Sequence, residues 1–286
     1  MKKLKLLGLL FAFVFITGCD VFKMDSMEDI NIITTAYPLE YVVKTLYGNH
    51  SKVVSIYPTG TNINTYKFKD TQLVEFSKKD LFVYSGFGSD KDIALNLINK
   101  NKNLLIIDGS FGMTPSVIEE LWLNPSNLLM MAQNVKNGLT EYINSNFLIE
   151  EINTNFEELK LELSELDAEI KLTAENAATK TIVTSNDALL FLEKYGFNVI
   201  VLNDSTLEKT VNEVESMINA SLVKYIFMLE YDEQNSTVKK ILANTNAEIL
   251  SIKRIENLSE AEINNSDNYL TLMRYNLDLL KKELYK

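Results

Sequence analysis

The chain has one cysteine, one histidine and one tryptophan in 286 residues, and it is poor in proline, with four. With no partner for Cys19, an intramolecular disulfide is excluded even in an oxidising compartment, so stability has to come from packing. A Ser-His-Asp or Cys-His nucleophilic site would have to recruit His50, which sits in a turn after Gly48-Asn49 and reads as a solvated turn histidine. Gly86-Phe87-Gly88 lacks the third glycine of a dinucleotide fingerprint, since Lys91 stands in its place, and no glycine-lysine phosphate loop is present. Positive charge is the minority sign: 28 Lys and Arg stand against 39 Asp and Glu, for a net charge of −11. That balance would repel the phosphates of a nucleic acid and otherwise speaks to solubility. Long apolar runs are missing too. The stretch from Leu6 to Ile16 is about half of the ~20 residues a membrane-spanning helix needs.

That short run follows Lys2, Lys3 and Lys5 and ends in Ile16-Thr17-Gly18-Cys19. This arrangement resembles a bacterial lipobox, in which the cysteine is acylated and becomes the new N-terminus. Residues 1–18 are then a signal peptide, and acyl chains on Cys19, at ~0.8 kcal/mol per buried methylene, anchor an extracytoplasmic protein to the cell membrane. Asp20 is expected to retain the protein at the inner membrane of a diderm host; in a monoderm it would face outward from the single membrane.

From Asp29 onward, short β-branched runs alternate with amphipathic stretches, the pattern of parallel sheets covered by helices. Strands are predicted at residues 30–36, 52–57, 81–84 and 104–107, and helices at 39–47, 70–78 and 90–98. Asn124 and Pro125 are suited to the cap and first turn of a further helix. Ile152, Phe156, Leu159, Leu163, Leu166 and Ile170 then recur at helical spacing through a segment free of glycine and proline. A helix of about 25 residues at ~1.5 Å each reaches almost 40 Å, enough to run the height of a two-lobed protein, though a coiled-coil seam is the alternative. Strands return at 181–184, 199–202, 224–228 and 248–252, and residues 269–284 read as a closing amphipathic helix. The predicted fold class is α/β: two lobes, each a mainly parallel sheet covered by helices, joined by one long rigid helix with a cleft between them. The lobes are placed at 19–145 and 179–286, and the linking helix at 146–178. No internal repeat is visible.

Several segments in order resemble the metal-type solute-binding lipoproteins of ABC importers, receptors for zinc and manganese. They are Ile33-Thr34-Thr35-Ala36-Tyr37-Pro38-Leu39, Ser77 to Gly86, Trp122-Leu123-Asn124-Pro125, Asp187-Ala188 with Tyr195-Gly196, and Tyr269-Leu270 with Met273-Arg274-Tyr275-Asn276. The resemblance implies a non-enzymatic receptor, expected to be a monomer, working with a membrane permease and an ATPase. It also implies a metal between the lobes, held by three histidines and a carboxylate or by two of each. Carried onto this chain, the histidine positions fall at Asn64, Glu120 and Asn186, and the carboxylate falls near Lys253.

None of those histidines is present, so the family's metal site is expected to be degenerate, with no cofactor and weak affinity for zinc or manganese. Three readings of the cleft stay open. Glu120 and Lys253 could form a fixed ion pair across the lobes, with Asn64 and Asn186 supplying hydrogen bonds, or be independent surface charges. Asn64, Asn186 and Lys253 could instead receive a small polar solute between Tyr66 and Trp122 as cleft walls. Oxygen ligands, Glu120 foremost, would suit a hard cation, which Lys253 opposes. A surface interaction or adhesion lipoprotein on the same scaffold is the competing functional class.

Overall fold

The computed structural model describes residues 27–285, so the lipobox and Cys19 lie outside the described residues. Strand β1 (Ile30–Thr34) leads through Tyr37-Pro38 into α1 (Tyr37–Tyr47), and a short 3-10 turn (Gly48–His50) into β2 (Ser51–Ser55). Then come α2 (Asp70–Ser77), β3 (Leu81–Tyr84), α3 (Asp90–Lys100), β4 (Leu105–Asp108), α4 (Glu120–Leu123) and α5 (Pro125–Tyr142). Asn124 caps α5 as its sequence suggests, its side chain accepting from the Ser126 N–H at 3.1 Å. Helix α6 (Asn146–Asn176) runs for 31 residues between the lobes.

The second lobe holds β5 (Thr181–Thr184), a 3-10 helix (Asp187–Tyr195), β6 (Asn198–Val201), α7 (Glu208–Asn219) and β7 (Tyr225–Leu229). It ends with α8 (Ser236–Asn244), β8 (Glu248–Ile252), α9 (Glu260–Asn264) and α10 (Tyr269–Leu284). The first strand is shorter than the predicted 30–36, because Thr35 and Ala36 leave the sheet to enter α1. All pairings are parallel, and the two sheets have the same order, β2-β1-β3-β4 and β6-β5-β7-β8. In each, the order reverses beside the first strand, the place where open α/β sheets leave a crevice at their strand C-termini.

Alternation along β7 shows how the second sheet is covered. Ile226 and Met228 belong to a small core with Val211 and Val214 of α7 and Val238 and Ile241 of α8. Phe227 and Leu229 point the other way, into the main core shared with α6, α10 and the first lobe. The stripe on α6, from Ile152 to Ile170, is buried at 4% exposure or less. It packs against α5, α1 and α10, which uses the seam within the chain and removes the reason for a coiled-coil dimer.

Polar ties fix α6 at three heights. His50 Nε2 lies 3.0 Å from Glu151 Oε2, so the predicted solvated histidine is a half-buried partner of the linking helix. Asp167 accepts from the Tyr195 hydroxyl at 2.6 Å, from Lys194 Nζ at 2.9 Å and from Ser126 Oγ at 3.1 Å, bringing both lobes to one carboxylate. Arg274 of α10 forks onto Glu169, with Nε and Nη2 at 3.0 and 2.9 Å from Oε1. No helix among the described residues is long and apolar enough to cross a membrane.

Candidate functional site: an arginine between the lobes

The loops that leave the C-terminal ends of the strands in both sheets meet at one guanidinium. Arg254, two residues beyond β8, donates from Nη2 to Glu119 Oε1 of the first lobe at 2.8 Å. Its Nη1 donates to Asp232 Oδ1, in the loop after β7, at 3.1 Å, and its Nε stands 3.4 Å from Glu256 Oε2. Three carboxylates thus face one cation, an arrangement suited to the planar fork of arginine. The Arg254 and Glu119 side chains are only 11% and 9% exposed, which makes this a buried ionic cluster in which geometry decides the energy.

The asparagines predicted for the site converge here. Asn64 Nδ2 lies 3.5 Å from Glu256 Oε2, and Asn186 Nδ2 donates to Asp232 Oδ2 at 2.7 Å while its Oδ1 accepts from the Ala188 N–H at 3.0 Å. Their amide nitrogens therefore support the carboxylates that hold the arginine. The carboxylate facing Asn64 is Glu256, three residues beyond the predicted Lys253.

Glu120 and Lys253 do not form the pair across the lobes. Glu120 turns back to accept from the Ser116 N–H at 2.8 Å, and Lys253 pairs within its own lobe with Glu230 at 2.7 Å and Glu262 at 2.8 Å. Burial, the largest influence, lowers the Lys253 ammonium, but its bonds to Glu230 and Glu262 more than reverse this and raise it above the ordinary lysine value. The cross-lobe pair belongs to their neighbours Glu119 and Arg254. The physical reason is alternation: successive residues leaving β8 point to opposite sides, so Lys253 and Arg254 cannot both face the cleft.

The two expected cleft walls also have other work. Trp122 is fully buried, and its Nε1 donates to the Arg254 carbonyl at 2.8 Å while its own carbonyl accepts from the Tyr269 hydroxyl at 2.6 Å. Tyr66 packs edge-on with Tyr57 and Phe68 at ring distances of 5.9 and 4.9 Å, and its hydroxyl accepts from Gln72.

The backbone around Arg254 is held rigidly and under strain. Asn276 of α10 brackets Lys253, accepting from its N–H at 2.7 Å and donating to its carbonyl at 2.9 Å, and the Tyr37 N–H of the first lobe donates to the Glu256 carbonyl at 2.9 Å. Between the two charged residues, Ile255 has φ +59°, and Tyr231, beside Asp232, has φ +69°. For a β-branched residue the left-handed region costs about 1–3 kcal/mol and persists only where surrounding contacts impose it.

Burial pushes the Glu256 carboxyl up to about 7; Arg254 opposes the shift, while Glu119 and Asp232 add to it. Its Oε1 is buried without a hydrogen-bond partner, as is Arg254 Nε. A second buried carboxyl, Asp90 at the start of α3, accepts from Ser85 Oγ at 2.7 Å and is raised by burial to about 6. Among the described residues no group of three or more histidine, cysteine and acidic side chains is arranged to hold a metal ion.

The signal for Arg254 was present in the sequence as an arginine directly after a strand-end lysine, but nothing in its spacing distinguished the two. Asp232 and Glu119 carried no motif at all.

The chain is similar to known proteins over nearly its whole length. It is 26% identical to a metal ABC transporter substrate-binding lipoprotein of Lactococcus lactis subsp. lactis, over 96% of this chain and 95% of that one. It is 21% identical to the zinc-binding protein AdcA of Streptococcus pyogenes over 88% of this chain, spanning 55% of that longer relative. Among solved structures, the metal-dependent lipoprotein YcdH of Bacillus subtilis superposes with a TM-score of 0.74 at 20% identity, covering 90% of this chain and all of that one. The two-lobed α/β fold is thus shared. The model of the ZnuA family, the periplasmic component A of zinc-uptake complexes, matches residues 32–283, and the chain belongs to that family of non-enzymatic solute-binding proteins.

Proposed function

We propose that this chain is the extracytoplasmic, lipid-anchored solute-binding component of a metal-type ABC importer whose interlobe centre holds its own cation and does not retain zinc or manganese tightly. The carrying observation is the Arg254 guanidinium, within 3.4 Å of Glu119, Asp232 and Glu256. A divalent ion would have to displace a tethered positive charge or sit beside it, and like charges at such range repel by several kcal/mol even at an effective dielectric of ~20. The donor set agrees. Carboxylate oxygens are offered, but no imidazole, and the asparagine amides are committed to the carboxylates. Membership of the family supports a permease and an ATPase as partners, and the lipobox ending at Cys19 supports anchoring through that residue.

The test is thermal melting after exhaustive dialysis against chelator, with and without added zinc or manganese. No movement of the midpoint is expected. Tight binding would add ~4 kcal/mol at a thousandfold excess over the dissociation constant, and such a rise with either ion would overturn the proposal.

A further inference from the structure

Beside the arginine cluster, the segment that carries Glu256 also walls a cavity of about 490 Å³ between α1 and β2 of the first lobe and residues 257–267 of the second. Its volume lies in the range of small-molecule sites. Tyr37, Tyr41 and Tyr57 line it, and each hydroxyl lies toward a partner elsewhere: the Tyr269 backbone, Thr45 with Glu162, and Ser89 respectively. What these residues offer the cavity is therefore ring surface. Apolar side chains enter from both lobes, Val54 at 53% exposure and Ile263 at 48%.

Charge in the cavity is unbalanced. Lys44 is paired with Glu40 on the preceding turn of α1, whereas Asp267 pairs with no cation among the described residues and accepts only from Thr271 Oγ1 at 3.3 Å. Most polar donors of the lining are engaged within the protein: Lys44 by Glu40 and the Ser55 hydroxyl by the Thr35 carbonyl, which leaves the Thr59 hydroxyl. The Asn257 side-chain amide is already spent on the Pro58 and Thr61 carbonyls at 2.7 and 3.0 Å. Aromatic rings beside a carboxylate with no cationic partner are an environment that attracts organic cations.

We propose that this cavity binds a small organic cation, an ammonium carried on an apolar body, with Tyr37 and Tyr41 as its walls and Asp267 as its counter-charge. The site is separate from the arginine centre and does not depend on whether that centre excludes zinc.

Calorimetric titration of the full, chelator-treated chain with three probes of one shape tests it: 2-phenylethylammonium, neutral 2-phenylethanol and anionic 3-phenylpropanoate. The ammonium is expected to bind about tenfold or more tightly than the alcohol, and the anion more weakly still. Asp267→Asn should bring the ammonium down to the level of the alcohol, and Ile263→Lys, which sets a fixed cation at the cavity edge from an exposed position, should abolish its binding. Urea midpoints of both variants report whether they fold, and either one that does suffices. Equal binding of alcohol and ammonium, binding by none of the probes, or an ammonium affinity unchanged in a folded variant would overturn the proposal, and none of these results bears on the zinc melting experiment.

Discussion

Arg254 Nη2 reaches Glu119 Oε1 at 2.8 Å, from the loop after the last strand of one lobe to the residue before α4 of the other. The bond joins loops that follow the strand C-termini of the two sheets, so it ties the lobes together through a charge that belongs to the chain. Mobile cargo in such a position would couple occupancy to closure; under the proposed function, the tethered guanidinium takes that place.

Arg254→Ala is expected to cost about 3–5 kcal/mol in urea unfolding, because the buried Glu119 and Glu256 and the half-buried Asp232 lose their cation. The same variant should gain stability from added manganese or calcium, since Glu119, Asp232 and Glu256 would then offer oxygen ligands without an opposing charge. Lys253→Ala is the contrast. Its partners Glu230 and Glu262 lie in its own lobe, and a smaller loss of about 1–2 kcal/mol with no metal response is expected.

Acidity should strengthen the fold over a defined range. Glu256 is raised from 4.5 to about 7, so the folded state binds its proton more tightly than the unfolded chain does. The stability this contributes is fully present below 4.5 and is lost as pH rises through 7, up to about 3 kcal/mol in all. Asp90 acts in the same direction over a lower window, from 3.8 to about 6. Urea unfolding of the wild type between pH 4 and 8 should show the decline. Glu256→Gln should flatten its upper part and Asp90→Asn its lower part; a wild-type profile that rises across the window would contradict both.

These consequences depend on residues that the sequence only half revealed. Apolar spacing along α6 made the linking helix legible, because that signal is local and repeats every turn. The identical strand order of the two sheets was invisible, since parallel pairing joins residues far apart in the chain and leaves no mark on either strand alone. At the site, Asn64 and Asn186 both reach carboxylates that surround Arg254, whereas the ion pair across the lobes is made by the residues adjacent to Glu120 and Lys253. Side-chain direction changes by about 100° per residue on a helix and by 180° on a strand, so a slip of one residue that hardly moves the backbone reverses which group faces the cleft. The left-handed turn at Ile255 adds a further reorientation that no β-branched residue would suggest.

Tyr231 has the same left-handed geometry as Ile255 but is 69% exposed, so its side chain contributes little that would be missed. Tyr231→Gly should relieve strain of about 1–2 kcal/mol against a gain in unfolded-chain entropy that costs about 0.5–1 kcal/mol. A net gain of up to about 1 kcal/mol is expected from urea unfolding. The same substitution at Ile255, which is only 3% exposed, should instead destabilise, because the lost side-chain packing exceeds the relief.

Gly138 sits in α5 where that helix presses on β4, and a Cβ there would meet three atoms of Ile107 at 2.7 to 2.9 Å. Helix propensity alone would favour alanine by about 1 kcal/mol, but Ile107 is only 5% exposed and has little room to withdraw. Overpacking of this kind costs about 1–3 kcal/mol, so Gly138→Ala is expected to lower stability in spite of the better propensity. Shortening the opposing side chain provides the check: Ile107→Ala in the Gly138→Ala background should recover stability relative to the sum of the two single losses. Strict additivity of the pair in urea unfolding would show that the close approach of α5 to β4 is not what requires glycine at this position.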